Sequence, residues 1–286
     1  MSPSGVSGSS LVFGVIGFPV AQSLSPPMHN AAFRALGLDA VYVPFPVHPD
    51  HLPAAVAGLA AVGVRGFNVT VPHKQAIVPL LDEVLPEARA IGAVNTVRIA
   101  DGRLSGTNTD GAGFLRALEH DLGFRPAGRS VLLLGAGGSA RSIALALLGA
   151  GVGALTLANR TLERAAALAA DCRARVPGCA VEALALERVA GVAPDLLVNA
   201  TTVGMGDGRS PVALEAVGVR GAVCDIVYHP PETPLLAQAR ALGLPCANGI
   251  GMLLHQGAAA LQFWTGREPP VEAMRAALLE ALAGRG

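Results

Sequence analysis

The segment Ser130–Ala140, with the sequence SVLLLGAGGSA, decides the fold of this chain. A short apolar run, Val131–Leu134, leads directly into a GxGxxA sequence that opens a predicted helix. In such a unit the first glycine permits a tight turn, the second lets the backbone approach a pyrophosphate, and the small last residue lets the helix pack closely on the strand. Free N–H groups at the start of the helix then bind the anion. We therefore predict a dinucleotide site at Gly135, Ala136, Gly137, Gly138, Ser139 and Ala140; an ordinary glycine-rich turn is the alternative.

The end of the next predicted strand, Leu155–Ala158, indicates which dinucleotide binds. An acidic residue there would accept hydrogen bonds from the ribose 2′-hydroxyl of NAD and repel the 2′-phosphate of NADP. The strand is followed instead by polar and basic residues, Asn159, Arg160, Thr161 and Arg164. Because guanidinium groups present a planar fork of donors to phosphate oxygens, these residues predict NADP. The alternative is that both arginines lie on a helix surface and pair with Glu163.

On both sides of this segment along the chain, short apolar runs alternate with stretches in which apolar residues recur at helical spacing. This pattern predicts βαβ units around parallel sheets. The strands are expected at Leu11–Ile16, Ala40–Val47, Gly66–Val71, Ser130–Leu134, Leu155–Ala158, Asp195–Asn199 and Ala222–Ile226. Helices are expected at Gly111–Leu122, Leu162–Ala174, Met252–Phe263 and Val271–Leu282. The predicted fold class is α/β, with two α/β domains separated by a deep cleft: an N-terminal domain with a mainly parallel sheet and a Rossmann-type domain.

Three local signals refine this pattern. Ser25 precedes Pro26 and an apolar helical face, so we predict that Ser25 is the N-cap of a helix. A hairpin is predicted over Ala93–Gly106, because Asp101 and Gly102 supply the positive φ angles of a tight turn. The uncharged stretch Ser142–Asn159 is long enough to resemble a membrane span, but its glycines predict helix, turn and strand.

Composition excludes several classes of function. Lys+Arg 21 balances Asp+Glu 21, which argues against binding to nucleic acid or to an anionic membrane. Cys172, Cys179, Cys224 and Cys246 form no CxxC pair, and no export signal opens the chain, so we predict reduced thiols and a cytoplasmic protein. The histidines have no spacing that suggests a metal site. A monomer and a homodimer are both compatible with the sequence.

Polar residues of the first domain cluster at the predicted carboxyl ends of strands, where open α/β sheets bind ligands. They are Ser23, Ser25, Asn68, Thr70, His73, Lys74, Asn95, Thr96, Asn108, Thr109 and Asp110. Hydroxyls, amides, one amine and one carboxylate suit a small polyhydroxylated acid. Taken singly, Ser25 and Asp110 could only cap helices, and Asn95 could only satisfy loop backbone.

Eight short strings, in this order, resemble the shikimate dehydrogenase family from Val12 to Ala281: QSLSP, NVTVPHK, GAVNT, NTDG, GAGGSAR, NRT, NAT and NGIGM. The resemblance implies a substrate-binding domain formed by residues 1–109 plus 249–286 and an NADP-binding domain formed by residues 110–248. It implies the reversible, NADP-linked reduction of 3-dehydroshikimate to shikimate, on the route to chorismate and aromatic amino acids.

The resemblance also implies roles for individual residues. The substrate carboxylate would contact Ser23, Ser25 and Tyr228, and the substrate hydroxyls would contact Thr70, Lys74, Asn95, Asp110 and Gln256. Besides the residues named above, cofactor contacts would fall on Thr201, Ile226, Gly249 and Met252. Gln22 and Asn248 depart from the residues that many members carry, and the position of Ile226 varies in the family.

Lys74, the only lysine among 21 basic residues, is the predicted catalytic acid and base, paired with Asp110. Oxidation of a secondary alcohol needs a base for the hydroxyl proton, and the reverse reaction needs an acid at the same oxygen. An amine can serve in both directions, whereas a guanidinium stays protonated. His73 is the nearest rival, but we expect adjacent residues at a strand exit to point in opposite directions.

Other functions remain open at this stage. A quinate/shikimate dehydrogenase or an aminoshikimate dehydrogenase paralogue would share the fold and most contacts. A non-catalytic dinucleotide sensor is a different class, against which the presence of both Lys74 and Asp110 weighs.

Overall fold

A computed structural model describes residues 6–176 and 178–284 of the chain. The chain folds into two compact units. Unit 1 contains the residues up to Thr109 and those from Leu254 onward, and unit 2 is Asp110–Leu253.

Unit 1 is built on a six-stranded sheet in the order β2-β1-β3-β5-β6-β4. The strands are β1 Leu11–Gly17, β2 Ala40–Pro46, β3 Gly66–Val69, β4 Glu83–Val84, β5 Thr96–Ala100 and β6 Arg103–Thr107. The pairs β1–β2, β1–β3 and β4–β6 are parallel, whereas β5 runs antiparallel to β3 and β6. The predicted mainly parallel sheet is therefore confirmed, with an antiparallel hairpin added to it.

That hairpin turns where the sequence predicts it. Asp101 has a φ angle of 51° and Gly102 one of 74°, which are the two positive values of a tight two-residue turn. The strand predicted to reach Val71 ends instead at Val69. Backbone hydrogen bonds continue at Thr70, whose N–H donates to the Ile16 carbonyl oxygen, and at Val71, and Pro72 has no N–H with which to extend them.

The helices of unit 1 cover both faces of its sheet. They are α1 Ser25–Ala35, α2 Leu52–Ala61, α3 Pro86–Ile91 and, after the second unit, most of α9 Ile250–Thr265 and all of α10 Val271–Ala283. The prediction that Ser25 caps α1 is wrong, because Ser25 is the first helical residue and Leu24 occupies the cap position. The hydroxyl oxygen of Ser23 accepts the Ser25 N–H at 3.2 Å, so the serine two residues earlier binds this backbone donor.

Unit 2 has a six-stranded sheet in which every pair is parallel. Its strands are β7 Ser130–Leu134, β8 Ala154–Asn159, β9 Ala180–Ala185, β10 Leu196–Asn199, β11 Ala222–Asp225 and β12 Cys246–Ala247. Their order, β9-β8-β7-β10-β11-β12, is that of the doubly wound Rossmann sheet. The strand order reverses between β7 and β10, so ligands are expected at the carboxyl ends of these two strands.

Helices α4 Asp110–Leu122, α5 Gly138–Gly149, α6 Leu162–Arg175, α7 Leu214–Val217 and α8 Pro234–Ala241 accompany this sheet. Close packing of α4 on α5 requires a glycine, since a Cβ at Gly111 would lie 2.8 Å from the Ser142 carbonyl oxygen. The stretch Ser142–Asn159 is the end of α5, a turn and β8, as predicted. Across residues 6–176 and 178–284, no helix is long and apolar enough to cross a membrane.

Candidate active site

Lys74 lies in a turn that follows β3 in unit 1. The His73 N–H donates to the Thr70 carbonyl oxygen at 2.9 Å, which closes the turn. The Lys74 carbonyl oxygen accepts the N–H of Val94 at 2.8 Å. This bond ties the turn to the backbone that leads directly into Asn95, and the Lys74 side chain is half-buried. The turn after β3 and the segment that contains Val94 are distant in sequence, and together they hold the backbone of the protein's only lysine.

His73, the rival acid/base candidate, has a structural partner. Its side chain is buried, and Nε2 lies 2.7 Å from the carbonyl oxygen of Val47. A carbonyl oxygen only accepts, so Nε2 carries the proton and donates it there. His73 and Lys74 lie in a turn beyond the strand, so alternation along a strand does not separate them; the hydrogen bond to Val47 does.

Asn95 is the centre of a buried set of hydrogen bonds. Its Oδ1 accepts the N–H of Thr109 at 2.8 Å and the hydroxyl of Thr96 at 2.9 Å. Its Nδ2 donates to the hydroxyl oxygen of Thr109 at 3.0 Å and to Oε1 of Gln256 at 3.4 Å. Two predicted substrate contacts, Asn95 and Gln256, are thus adjacent. Thr109 precedes Asp110, so this network fixes the backbone at the start of α4.

Two further side chains, Tyr42 on β2 and Asn68 on β3, extend this network. The Tyr42 hydroxyl donates to Asn68 Oδ1 at 2.7 Å. Asn68 Nδ2 in turn donates to the Thr96 hydroxyl oxygen at 3.1 Å and to the Asn95 carbonyl oxygen at 3.2 Å. Burial raises the pKa of Tyr42, so the phenol is neutral. We call this set the hydroxyl–amide network: Tyr42, Asn68, Asn95, Thr96 and Thr109.

Sequence reasoning did not select Tyr42. The only signal was a phenol in the otherwise apolar strand AVYVPF, where a buried tyrosine needs a partner for its hydroxyl. Its partner, Asn68, is distant in sequence, so no local spacing identifies it.

In unit 2, the predicted phosphate loop has the required backbone geometry. Gly135 has a φ angle of 112°, and a Cβ there would lie 3.0 Å from the Ala200 carbonyl oxygen. Gly137 is exposed, and a Cβ on it would meet nothing within 4 Å. No side chain caps α5, which begins at Gly138. Its first N–H groups therefore face open space that suits the pyrophosphate of a dinucleotide.

The end of β8 also fits the 2′-phosphate of NADP. Asn159 Nδ2 donates to the Thr161 carbonyl oxygen at 2.9 Å, and Arg160 and Arg164 are exposed. Among the residues that the structure describes, Glu163 forms no ion pair with either arginine. Both guanidinium groups are available to phosphate oxygens.

A second buried network lies beneath the loops that follow β10 and β11. Asp225 Oδ1 accepts from Asn199 Nδ2 at 2.9 Å and from the Val227 N–H at 3.0 Å, and its Oδ2 accepts from the Thr233 hydroxyl at 2.7 Å. Asn199 Oδ1 accepts the Thr201 hydroxyl at 2.7 Å. Burial raises the pKa of Asp225, and these hydrogen bonds act against that rise. We call this set the carboxylate network: Asn199, Thr201, Asp225, Val227 and Thr233.

The carboxylate network positions several predicted contacts of unit 2. Thr201 belongs to it, and Ile226 and the half-buried Tyr228 flank Val227. The Gly249 N–H donates to the Val227 carbonyl oxygen at 3.1 Å. A Cβ at Gly249 would overlap the carbonyl group of Ile226, so only glycine fits. Met252 is 9% exposed and packs in the apolar core of unit 2.

The predicted residues thus fall into two groups. Unit 1 holds Ser23, Ser25, Thr70, Lys74, Asn95 and Gln256, and unit 2 holds every predicted cofactor contact together with Asp110 and Tyr228. Within the two described ranges, no three His, Cys, Asp or Glu residues are arranged to hold a metal ion.

Known proteins resemble this chain along its length. Family models match at residues 15–97 (shikimate dehydrogenase substrate binding domain), 119–202 (shikimate / quinate 5-dehydrogenase) and 249–279 (shikimate 5′-dehydrogenase C-terminal domain). The shikimate dehydrogenase (NADP(+)) of Geobacter sp. (strain M21) is 54% identical over 286 residues, which cover 98% of this chain and 99% of that relative.

Solved structures agree with these matches. A shikimate dehydrogenase in complex with NADP+ has a TM-score of 0.90 and 39% identity, covering 98% of both chains. The Thermus thermophilus enzyme in complex with NADP(H) and shikimate has a TM-score of 0.86 and 42% identity, covering 95% of this chain and 100% of that one. The chain therefore belongs to the shikimate dehydrogenase family.

Proposed function

We propose that Lys74 and Asp110 perform the proton transfer in the reaction of this enzyme. The reaction is the reversible, NADP-linked interconversion of 3-dehydroshikimate and shikimate, in the pathway to chorismate. The observation that carries the proposal is the hydrogen bond between the Lys74 carbonyl oxygen and Val94, which holds the only lysine beside the buried Asn95. Asp110 follows Thr109, which the same asparagine binds.

In the oxidative direction, the Lys74 amine accepts the proton of the reacting hydroxyl, and in reduction the ammonium returns it. Asp110 accepts a hydrogen bond from substrate and orients the amine. Bound NADP supplies the hydride acceptor or donor. Ser23, Ser25 and Tyr228 bind the substrate carboxylate. Thr70, Asn95 and Gln256 bind the remaining hydroxyl groups, and their fixed positions hold the reacting carbon in place.

The residues of unit 2 support cofactor binding in two places. The loop Gly135–Ala140 holds the pyrophosphate on the N–H groups of α5. Asn159, Arg160, Thr161 and Arg164 hold the 2′-phosphate, and Thr201, Ile226, Gly249 and Met252 complete the cofactor site. We assign residues 1–109 plus 249–286 to substrate binding and residues 110–248 to NADP binding, except that Gly249 and Met252, which lie in unit 2, contact the cofactor.

The test is a four-way assay with shikimate and quinate, each with NADP and NAD. Shikimate with NADP should give the highest kcat/KM. A higher kcat/KM with quinate would favour the second candidate, a quinate/shikimate dehydrogenase, which is supported by the family model named for both substrates. An absence of turnover in all four assays would favour a dinucleotide sensor.

Two other properties of the protein are its cellular location and its oligomeric state. All four cysteines are free, which supports a reducing, cytoplasmic location. Light scattering after gel filtration would distinguish the monomer from the homodimer that the sequence leaves open.

A further inference from the structure

We propose that unit 1 holds a second ligand site, which binds a small aromatic carboxylate. The site is a cavity of about 340 Å³ that is lined by three guanidinium groups and by the protein's only tryptophan. All residues that line it belong to unit 1, and none of them is a proposed contact of shikimate or NADP. We call it the arginine cavity, after the residues that define it: Phe13, Arg65, Arg98, Asp101, Trp264 and Arg267.

The arginine cavity lies at the amino ends of β1 and β3, whereas the proposed substrate contacts follow the carboxyl ends of these strands. Phe13 on β1 pairs with Gly66, the first residue of β3, and Gly66 pairs with Arg98 on β5. Trp264 lies eight residues beyond Gln256 on α9, which is about 12 Å along the helix axis. The cavity and the proposed substrate site can therefore be occupied at the same time.

The indole of Trp264 forms a fixed aromatic wall of the cavity. A Cβ at Gly66 would lie 2.6 Å from two indole atoms, so the ring lies directly on the sheet where the side chain is missing. Trp264 Nε1 donates to the Val97 carbonyl oxygen at 2.8 Å, and the centroid of the Phe13 ring is 5.3 Å away. Trp264 is half-buried, and its remaining surface lines the cavity. A ligand ring can pack on this indole without reorganising it.

Backbone carbonyl oxygens hold two of the three guanidinium groups in place. Arg98 Nη1 donates to the Phe263 carbonyl oxygen at 3.4 Å, and its guanidinium carbon lies 4.8 Å from the centroid of the Phe263 ring. Arg267 Nη1 donates to the Leu36 carbonyl oxygen at 3.2 Å. A guanidinium has five N–H donors, so one bond to a carbonyl leaves most of them for a ligand. Closing the ends of α9 and α1 would explain these two arginines, but it does not explain the exposed Arg65 beside them.

The arginine cavity carries a local excess of positive charge. Within residues 6–176 and 178–284, Arg65, Arg98 and Arg267 form no ion pair. Of the described residues that line the cavity, Asp101 alone is acidic, so one negative charge faces three positive ones. Positive and negative residues balance in the chain as a whole, so this excess belongs to the cavity. Guanidinium groups bind carboxylates through two parallel hydrogen bonds, and the cavity therefore favours an anionic ligand.

Volume, charge and the indole together select a ligand with one ring and one carboxylate. A cavity of about 340 Å³ is at the lower end of the range for small-molecule sites, about 300 to 1,000 Å³, so it suits a single ring rather than a dinucleotide. Inorganic phosphate would use the guanidinium groups without the indole, and an uncharged ring would use the indole without the guanidinium groups. Benzoate would use both, because its ring can pack on Trp264 while its carboxylate binds the arginines.

The test is a titration of the ¹⁵N-labelled full chain with benzoate, followed at the indole N–H resonance. Because Trp264 is the only tryptophan, this resonance is single and needs no assignment. Benzoate should shift it to saturation, with or without saturating shikimate. Benzyl alcohol, which lacks the charge, and inorganic phosphate, which lacks the ring, should each bind about tenfold more weakly. An absent benzoate shift, an equal affinity for phosphate, or displacement of benzoate by shikimate would each overturn the proposal.

Variants of the arginines test the same site. Arg65→Gln removes one charge from an exposed side chain, so Kd for benzoate should rise about threefold, as for loss of an exposed ion pair. Combined with Arg267→Gln, the rise should be about tenfold. Arg89→Gln is the matched control, because Arg89 is an exposed arginine of unit 1 that donates to the Val84 carbonyl oxygen at 3.3 Å. An unchanged Kd in the double variant, or the same rise in Arg89→Gln, would contradict the proposed site.

Discussion

The two units of the molecule support their loops with different chemistry. In unit 1, the hydroxyl–amide network consists only of neutral groups and joins Tyr42 to Asn95. In unit 2, the carboxylate network is centred on Asp225, which is fully buried and accepts three hydrogen bonds. Both networks lie beneath loops that carry predicted ligand contacts.

The two networks differ in the desolvation cost of their groups and in how strongly they depend on each hydrogen bond. A neutral network has a small desolvation cost but depends on the correct orientation of every hydroxyl and amide. A buried carboxylate organises several donors at once, but its burial is costly when any donor is missing. We therefore expect defects in unit 1 to change substrate geometry and defects in unit 2 to change stability and cofactor binding.

The largest expected effect is on kcat and follows from replacing Lys74, which belongs to neither network. Lys74→Ala should lower kcat by about 1,000-fold or more, because general acid–base catalysis is worth about 100- to 10,000-fold. KM for shikimate and NADP should change little. Lys74→Arg should be equally inactive, because a guanidinium does not release its proton. Steady-state kinetics measure this, and near-normal turnover in either variant would remove Lys74 from the mechanism.

Replacement of one residue in each network tests the comparison directly. Asp225→Ala should lower the free energy of unfolding by about 3 kcal/mol, since Asn199, Val227 and Thr233 would lose their acceptor. It should also raise KM for NADP more than KM for shikimate. Asn68→Ala should do the reverse, with the larger rise in KM for shikimate. Urea denaturation and kinetics measure both, and a rise in the same KM for both variants would break the comparison.

The acid sensitivity of unit 1 should be traceable to His29. Complete burial lowers its pKa to about 3 in the folded protein, whereas the pKa is near the ordinary 6.5 in the unfolded chain. The unfolded chain therefore takes up the proton first, and stability falls as the pH drops below 6.5, by about 2 kcal/mol between pH 7 and pH 5.

His29→Phe should remove most of that loss while keeping the aromatic stack on Tyr42. Urea denaturation at pH 7 and pH 5 measures the difference for the wild type and the variant. His51→Gln, at an exposed site, is the control. An identical pH dependence in His29→Phe and the wild type would show that the acid sensitivity lies elsewhere.

The smallest expected effect is on KM for NADP and tests the 2′-phosphate site of unit 2. Arg160→Ala should raise KM for NADP about tenfold, as expected for loss of a hydrogen bond to a charged group, and leave KM for NAD unchanged. Arg188→Ala, another exposed arginine of unit 2, should change neither value. Equal effects of Arg160→Ala on both cofactors would contradict the assignment of the 2′-phosphate site.

Much of the fold was predictable because its signals are local. The turn at Asp101 and Gly102 depends on two residues, and the strand and loop over Val131–Gly138 depend on an uninterrupted run of sequence. The helix start at Ser25 was misplaced by one residue, because Leu24 occupies the cap position and Ser25 is already helical. The Ser25 N–H is bound by the Ser23 hydroxyl oxygen, although Ser25 is also a residue type that caps helices.

The sequence by itself determined the class of fold, the phosphate loop, the basic residues after β8 and the single lysine, because each is written in residue types at short spacing. Only the tertiary structure decided that His73 is bound to Val47, that Asn95 holds Gln256 and Thr109, and that Tyr42 is bound to Asn68. The physical reason is that hydrogen bonds between distant segments depend on sheet order and on the side chain's direction. Neither is set until strands from different parts of the chain pair and burial requires each polar atom to find a partner.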